Sequence, residues 1–366
     1  MFTTDYHEIL KLIDCIDPKK YGKTRNFCDG AVTQLSPYVS RGVISTRQIA
    51  KAILKKGYKP YEIEGFLRQL AWRDYFQHVW IAKPTEIDDD LKQHQRAVSH
   101  YLIPEAIVSA HTSIDAIDRA IKDLYSFGYI HNHIRMYIAS VCCNVAGSHW
   151  RYPAQWMYYY LLDADWASNA LSWQWVAGCF SHKKYFANQE NINKYWYTHQ
   201  KDTFLDIPYD AFATMTLPDV LKSTAHLSLH TTLPPSDTLI IDPRLPIYIY
   251  TFYNLDVEWD SSILANRILL LEPSFFNRYP VSEATINFII ALSKNIKDIQ
   301  IIVGEFDAVF NPSLHAQIRY KEHPAFSHFK GHKCHRDWMF EHVSGYYPSF
   351  FSYWKKCQKF LTLLED

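Results

Sequence analysis

Residues 148–175 read SHWRYPAQWMYYYLLDADWASNALSWQW. Five tryptophans (Trp150, Trp156, Trp166, Trp173 and Trp175) and three consecutive tyrosines share this stretch with two carboxylates, Asp163 and Asp165. Aromatic residues make up 16% of the chain, with 11 Trp and 26 Tyr, more than the packing of a core this size demands. The excess asks for a cause, and a bound cofactor would supply one.

Outward from that stretch, apolar residues recur at helical spacing from residue 40 to about 205. In SRGVISTRQIAKAILKKG, Ser45 is placed to cap a helix that Gly57 ends. YEIEGFLRQLAWRDYFQHVW reads as a long amphipathic helix, and SIDAIDRAIKDLYSFGYIHNHIRMYIASVCCNVAG as one or two more. Residues 206–236 are rich in Pro, Thr, Ser and Leu and lack a sustained period, which predicts a surface linker. Beyond it TLIIDP, PIYIYTFY, NRILLLEP and IQIIVGE are short apolar runs separated by helical stretches such as SEATINFIIALSKNI. Strands alternating with helices imply an open parallel sheet. The expected fold class is therefore multidomain: an all-helical domain over 1–205 and a smaller α/β domain over 237–366.

Composition narrows the function classes. Charged residues are 21% and hydrophobic residues 48%, and no apolar run reaches the roughly 18 to 20 residues that span a bilayer, so no membrane association is expected. The opening MFTTDYHEILKLIDCIDPKK lacks an apolar core preceded by positive charge, which makes cytoplasm the default compartment. The seven cysteines contain no C-x-x-C pair and point to free thiols. His323, His328, His332, His335 and His342 crowd one segment with Cys334, but their spacing fits no standard zinc pattern, and no metal is expected. The first sixty residues carry eleven Lys/Arg against five Asp/Glu, either a basic face or a solvated helix surface. Neither G-x-x-x-x-G-K-[ST] nor G-x-G-x-x-G is present, so a phosphate-bearing cofactor needs another seat. Thr33, Gln34, Leu35 and Ser36 offer hydroxyls and amides before a helix, a seat on helix-dipole grounds or a plain helix cap.

Five pieces in order, TQLSPYVSRGVIS, RQLAWRDYF, GYIHNHIRM, HWR and DADWASNALSWQW, make the chain from about residue 20 to 195 resemble the flavin-binding domain of the photolyase and cryptochrome family. The resemblance implies an all-helical domain holding FAD in a bent conformation. It assigns Thr33 and Ser36 to the FAD phosphates and Tyr21, Gln34 and Leu35 to the cofactor site; Val32 stands where many relatives have a hydroxyl. It assigns Arg135 and Asp163 to an ion pair beside the isoalloxazine, Asp165 to its pyrimidine edge and Asn169 to its central nitrogen, with Gln69, Arg73 and Asn132 also around the cofactor. N-capping of the next helix is the alternative role for Asp163 and Asp165.

By the same resemblance, Trp173 and Trp150 are the first two members of a tryptophan chain that passes electrons to the photoexcited flavin. No Trp between residues 85 and 149 matches the third, so Trp156 or one of Tyr158, Tyr159 and Tyr160 is its candidate; core filling is the alternative for Trp156 and Trp166. Trp72 and Trp175 resemble the walls that clasp a flipped pyrimidine dimer, with Asn132 and Met136 in the same pocket. Arg25, Arg73, Lys183 and Lys184 are placed to meet DNA phosphates, and Arg73 equally to form an internal salt bridge. Gln69 stands where dimer-repairing relatives have Glu, His133 where they have Arg, and Leu171-Ser172 where they have small residues. The implied activity is light-driven repair of cyclobutane pyrimidine dimers in DNA, a photolyase-type lyase reaction; the alternative is a cryptochrome-like blue-light sensor, the one case in which a protein partner is expected. The family's α/β antenna domain normally comes first, so residues 236–366 resemble a relocated version; no folate or deazaflavin motif identifies a second, antenna chromophore.

Overall fold

The computed structural model describes residues 2–364. The principal helices are α1 (Tyr6–Asp14), α2 (Thr46–Leu54), α3 (Glu64–Ala82), α4 (Asp115–Phe127), α5 (Asn132–Ser140), α6 (Arg151–Tyr160), α7 (Trp166–Ala177), α8 (Gln189–Trp196), α9 (Glu283–Ser293) and α10 (Phe350–Cys357). The strands of the main sheet are β1 (Ile247–Tyr250), β2 (Asn266–Leu271), β3 (Gln300–Val303), β4 (Ile318–Lys321) and β5 (His332–Cys334). A helical part and an open α/β part are both present, as expected.

Local signals explain the helix boundaries. The Ser45 side chain accepts from Gln48 N at 2.9 Å and starts α2. The long apolar stretch from residue 113 breaks at Gly128, whose φ of +65° ends α4 in a left-handed cap that a side chain there would strain. The chain then re-enters α5, which continues into a π turn over Val141–Val145.

The chain folds as two compact units that cut across the boundaries read from composition. One contains Thr24–Val32 and Thr85–Leu229; the other contains the residues up to Lys23, Thr33–Pro84 and the chain from His230 onward. Most of the expected linker belongs to the first unit. Its Tyr209–Thr214 and Asp219–Leu221 form 3₁₀ turns, and Thr224–Ala225 pairs antiparallel with Ile103–Pro104.

In the second unit the sheet is wholly parallel, in the order β3-β2-β1-β4-β5. β1 and β2 are buried at every residue, as central strands covered on both faces must be. TLIIDP is not a strand. Its segment lies along the β3 edge, where Asp237 N donates to Ile301 O at 2.9 Å and Gln300 exchanges two hydrogen bonds with Ile240. Two strands that the sequence did not announce, β4 and β5, complete the sheet. After β3 the chain crosses back to the far side of β1, so β1 and β4 flank the switch point of the sheet.

Helices α2 and α3 belong to this same unit, as does α10. Asp74 on α3 is buried and accepts from Thr46 Oγ1 at 2.9 Å and Met339 N at 2.9 Å, joining α2, α3 and the tail. The Trp72 ring stacks on Phe350 at 3.8 Å and 10°, and Trp354 Nε1 donates to Glu64 at 2.9 Å. Among the described residues, no helix is long and apolar enough to cross a membrane.

Burial lifts the Asp74 carboxyl to about 6 from its ordinary 3.8, with the hydrogen bonds from Met339 and Thr46 opposing the rise. A raised carboxyl gives stability that is full below about 4 and is lost as pH rises through about 6. Between pH 4 and 7.5 the protein should therefore lose about 3 kcal/mol more of unfolding free energy than Asp74→Asn does. Urea denaturation of both at the two pH values measures the difference, and parallel pH profiles would refute it.

Candidate functional site

In the helical unit, the carboxylates of the quoted stretch are fixed by distinct means. Asp163 lies in the turn before α7 and makes a two-pronged pair with Arg135 of α5, at 3.1 Å from Nη1 to Oδ1 and 3.0 Å from Nη2 to Oδ2. The Arg135 Nε donates to Ile130 O at 3.0 Å, so the guanidinium is held on three sides. Such a forked pair fixes the plane of both groups. Asp165 caps α7, accepting from Ser168 N at 3.2 Å and from the Ser168 hydroxyl. The capping role considered for these aspartates thus falls to Asp165, and the ion pair to Asp163. Asn169, one turn on, donates from Nδ2 to Ala154 O at 2.8 Å, which fixes which end of its amide is the donor and which the acceptor.

Trp173 is buried on α7 and Trp150 is buried at the start of α6. The Trp150 ring lies 6.4 Å from that of Trp166, which sits seven residues before Trp173 on α7. Residues seven apart on a helix share a face, about 10 Å apart along the axis. Two acceptors that the sequence reading missed hold the indoles. Trp150 Nε1 donates to Asp90 at 2.8 Å and Trp166 Nε1 to Asp88 at 2.7 Å. The only sequence signal was an acidic run, EIDDD, which looks like a solvated surface. Burial works against an ionised Asp90, but the bonds from His149, Gln95 N and Trp150 outweigh it and hold the carboxyl well below its usual range. The rings of Trp156 contact Tyr125 and Tyr160, with Trp156 Nε1 donating to Tyr125 Oη at 3.1 Å.

Around this core, Asn132 opens α5 and is exposed, Met136 is half-buried, and Trp175 is 39% exposed with Tyr185 beside it at 5.8 Å. His133 is built into an aromatic cluster with Tyr137, Tyr195 and Trp196. Its Nδ1 lies 2.9 Å from Asn26 O and therefore carries a proton. Burial also pushes the imidazole below its usual value, so this position carries no fixed charge where an arginine would. Lys183 is exposed. Lys184 is half-buried, and desolvation lowers its ammonium. Arg25 is half-buried.

In the other unit, Thr33 and Gln34 form a tight turn in which Leu35 N donates to Thr33 Oγ1 at 3.4 Å and Gln34 takes φ +52°. The helix behind it is short, Ser36–Ser40, with Leu35 at the cap position. It is too brief to gather a sizeable dipole. The Tyr21 ring meets Phe66 edge-on at 5.2 Å. Gln69, Trp72, Arg73 and Phe76 line one face of α3 at i, i+3, i+4 and i+7. One face of Trp72 is covered by Phe350, and Arg73 lines a cavity elsewhere.

That cavity, about 270 Å3, opens at the carboxyl ends of β1 and β4, the switch point of the sheet. Gly42, Arg73, Asn254, Lys321, His323 and Trp338 are among its walls. Gly42 is required there, since a Cβ would meet Tyr253 O at 2.5 Å. His323 is buried against Tyr253, with ring centroids 4.3 Å apart. Its Nδ1 accepts from Ala325 N and burial keeps the ring neutral, so Nε2 bears the proton. Neither His323 Nε2 nor Asn254 Nδ2, both buried, has a hydrogen-bond partner. The remaining tail histidines disperse: His328 pairs with Glu272 at 2.9 Å and His342 sits beside Glu341.

The donor set of the helical unit suits a heterocycle that presents both N–H donors and carbonyl acceptors on one edge, as an isoalloxazine does: a guanidinium paired to a carboxylate, a second carboxylate at a helix cap, and an amide of fixed orientation. Residues 66–204 match the family model of the FAD binding domain of DNA photolyase. A deoxyribodipyrimidine photo-lyase of Streptomyces griseus is 34% identical over 149 residues, 40% of this chain and 32% of its own. Cryptochrome-1 of Arabidopsis thaliana is 26% identical over 186 residues, 47% of this chain and 27% of its own. The crystal structure of a bacterial class III photolyase from Agrobacterium tumefaciens aligns with a TM-score of 0.44 at 26% identity, over 52% of this chain and 41% of that one. The chain spans about a third of the length of the curated relatives it matches. By its motifs and by the family-model and sequence matches, the segment 66–204 belongs to the photolyase and cryptochrome family of FAD-binding domains.

Proposed function

We propose that the chain is a light-dependent flavoprotein that repairs cyclobutane pyrimidine dimers in DNA. The observation that carries this reading is the geometry of Arg135, Asp163, Asp165 and Asn169, which are the residues the family resemblance assigns to the flavin ring. FAD, when bound, supplies light absorption and the electron that splits a dimer. The protein supplies placement and charge. Arg135 and Asp163 keep a neutral pair beside the ring, so that its charge state is set by single contacts and not by a net local field. Asn169 cannot rotate without losing the Ala154 bond, and presents its carbonyl oxygen away from that bond. Thr33 and Ser36, with Tyr21, Gln34, Leu35, Gln69, Arg73 and Asn132, complete the expected cofactor set; Trp173 and Trp150 feed it electrons.

On the lesion side, Trp72 and Trp175 stack against the flipped bases while Met136 and Asn132 line the pocket. Lys183 is the exposed cation for a flanking phosphate, with the half-buried Arg25 and Lys184 as further candidates. The switch-point cavity, with two unpartnered buried donors, is the place for a second chromophore rich in hydrogen-bond acceptors.

A cryptochrome-like sensor is the second reading. Two observations favour it: Gln69 brings an amide where repair enzymes use a carboxyl, and Phe350 covers one face of Trp72.

Three outcomes separate the readings. Reduced protein under blue light should remove the dimer from a lesion-bearing oligonucleotide, and Trp72→Ala should weaken affinity for that oligonucleotide more than for undamaged DNA. Flavin photoreduction with no dimer loss at any protein concentration would give the sensor reading instead. Trp173→Phe should abolish photoreduction while the flavin absorption of the purified protein persists; unchanged photoreduction would refute the role of Trp173. Breaking the Arg135 pair by Asp163→Ala should cost on the order of 3 kcal/mol in urea denaturation, because it strands a largely buried guanidinium.

A further inference from the structure

Trp150 is wholly buried, yet two ring contacts lead from it to solvent. The His149 imidazole lies 5.8 Å from the Trp150 ring at 35°, and the Tyr101 ring stacks on His149 at 5.1 Å and 25°. Tyr101 itself is 70% exposed. The intermediate ring is held in place: His149 N donates to His100 O at 2.8 Å, its Nδ1 accepts from Arg151 N at 3.4 Å, and its Nε2 faces Asp90 at 3.4 Å. The Trp150 indole donates to the same Asp90 oxygen.

The other exposed phenol near the buried indoles is less suited to lose an electron. Tyr125 is 38% exposed, but its hydroxyl donates to Val108 O at 2.7 Å, and burial pushes its ionisation up. A tyrosine is oxidised at accessible potential only if its proton can leave with the electron, and in Tyr125 that proton is held by a neutral carbonyl of negligible basicity. The Tyr101 phenol reaches water directly.

We propose that Tyr101 is the surface terminus of an oxidation path that begins at Trp150 and crosses His149. The inference rests on the reading that Trp173 and Trp150 are oxidised in turn by a photoexcited flavin. One electron then passes from the Tyr101 ring to the Trp150 radical cation, and the Tyr101 phenol proton goes to bulk water. Trp150 returns to the neutral indole with its bond to Asp90 intact, and Tyr101 is left as a neutral phenoxyl radical. Because Asp90 is held strongly ionised it accepts the indole hydrogen bond, yet it is too weak a base to remove the proton outright; Trp150 therefore stays a radical cation, the form that draws an electron from a tyrosine. This places the third station of the chain at Tyr101, away from Trp156 and Tyr158–Tyr160.

The test uses the full chain loaded with FAD and illuminated with blue light in the presence of a nitroso spin trap, followed by peptide mass spectrometry. The adduct should map to the peptide containing Tyr101. In Tyr101→Phe that adduct should vanish and the yield of lasting flavin photoreduction should fall severalfold. His149→Phe, which keeps a ring between the two, should retain the Tyr101 adduct, and His149→Ala should lose most of it. An adduct on Tyr125 or Tyr160, with photoreduction in Tyr101→Phe equal to that of the parent, overturns the assignment. If the parent does not photoreduce at all, the flavin reading fails and takes the Tyr101 path with it. If Trp173→Phe abolishes photoreduction and Tyr101→Phe leaves it unchanged, only the Tyr101 path fails.

Discussion

Burying an indole is costly unless its N–H finds an acceptor, and this constraint shapes the helical unit around Trp150 and Trp166. Trp150 and Trp166 satisfy it with Asp90 and Asp88, on a segment whose only regular structure is the single 3₁₀ turn Glu86–Asp88. Glutamines supply the missing scaffold. Gln174 on α7 accepts from Leu91 N at 3.1 Å and donates to Ile87 O at 3.1 Å. Gln95 donates to Ser148 O at 2.8 Å and accepts from Trp150 N at 2.9 Å. Each such bond contributes only about 1 kcal/mol net, but leaving one of these buried groups unpaired would cost more. The rings of the quoted stretch are thus held by carboxylates outside it, Asp88 and Asp90, while Asp163 and Asp165 beside them bind Arg135 and Ser168.

The same economy recurs at Asp165. A residue that caps a helix and a residue that faces a ligand were competing interpretations of one side chain, and the geometry makes them compatible. Capping commits the Oδ2 atom to Ser168 and fixes the carboxylate at the first turn of α7. Preorganisation of this kind removes an ordering cost that a mobile side chain would impose on binding. Asn169 is treated likewise by Ala154.

How much of this was legible in the sequence depended on whether a feature was local. The Ser45 cap and the strands IYIY and NRILLL are decided by neighbours within a few residues, and they are where the pattern put them; the left-handed cap at Gly128 resolves the one-or-two-helix alternative as two. β4 and β5 were missed because IRYK alternates apolar and polar residues and the edge strand HKC is short and largely polar, so neither shows the continuous apolar run of a central parallel strand. TLIIDP had that run but lies along the edge of β3, paired largely through side chains. The family motifs directed attention to Asp163, Asn169 and the tryptophans, whereas Asp88, Asp90 and the stack of Tyr101 on His149 depend on contacts that leave no trace in local spacing. The covering of Trp72 by Phe350 is equally invisible, since the two residues are far apart along the chain.

That distance has a consequence for how the molecule is made. Tyr75 donates to Tyr347 O across 272 positions, and Trp354 to Glu64 across 290. Residues 85–229 form nearly all of one compact unit and are complete once they emerge from the ribosome, whereas α3 must wait for the last strands and α10. At 5 to 20 residues per second, that wait is roughly 15 to 55 s. During it the side of α3 that meets Phe350 and Trp354 lacks its native cover, so the nascent amino-terminal segments are the part of the chain for which chaperone capture and misassociation compete with folding.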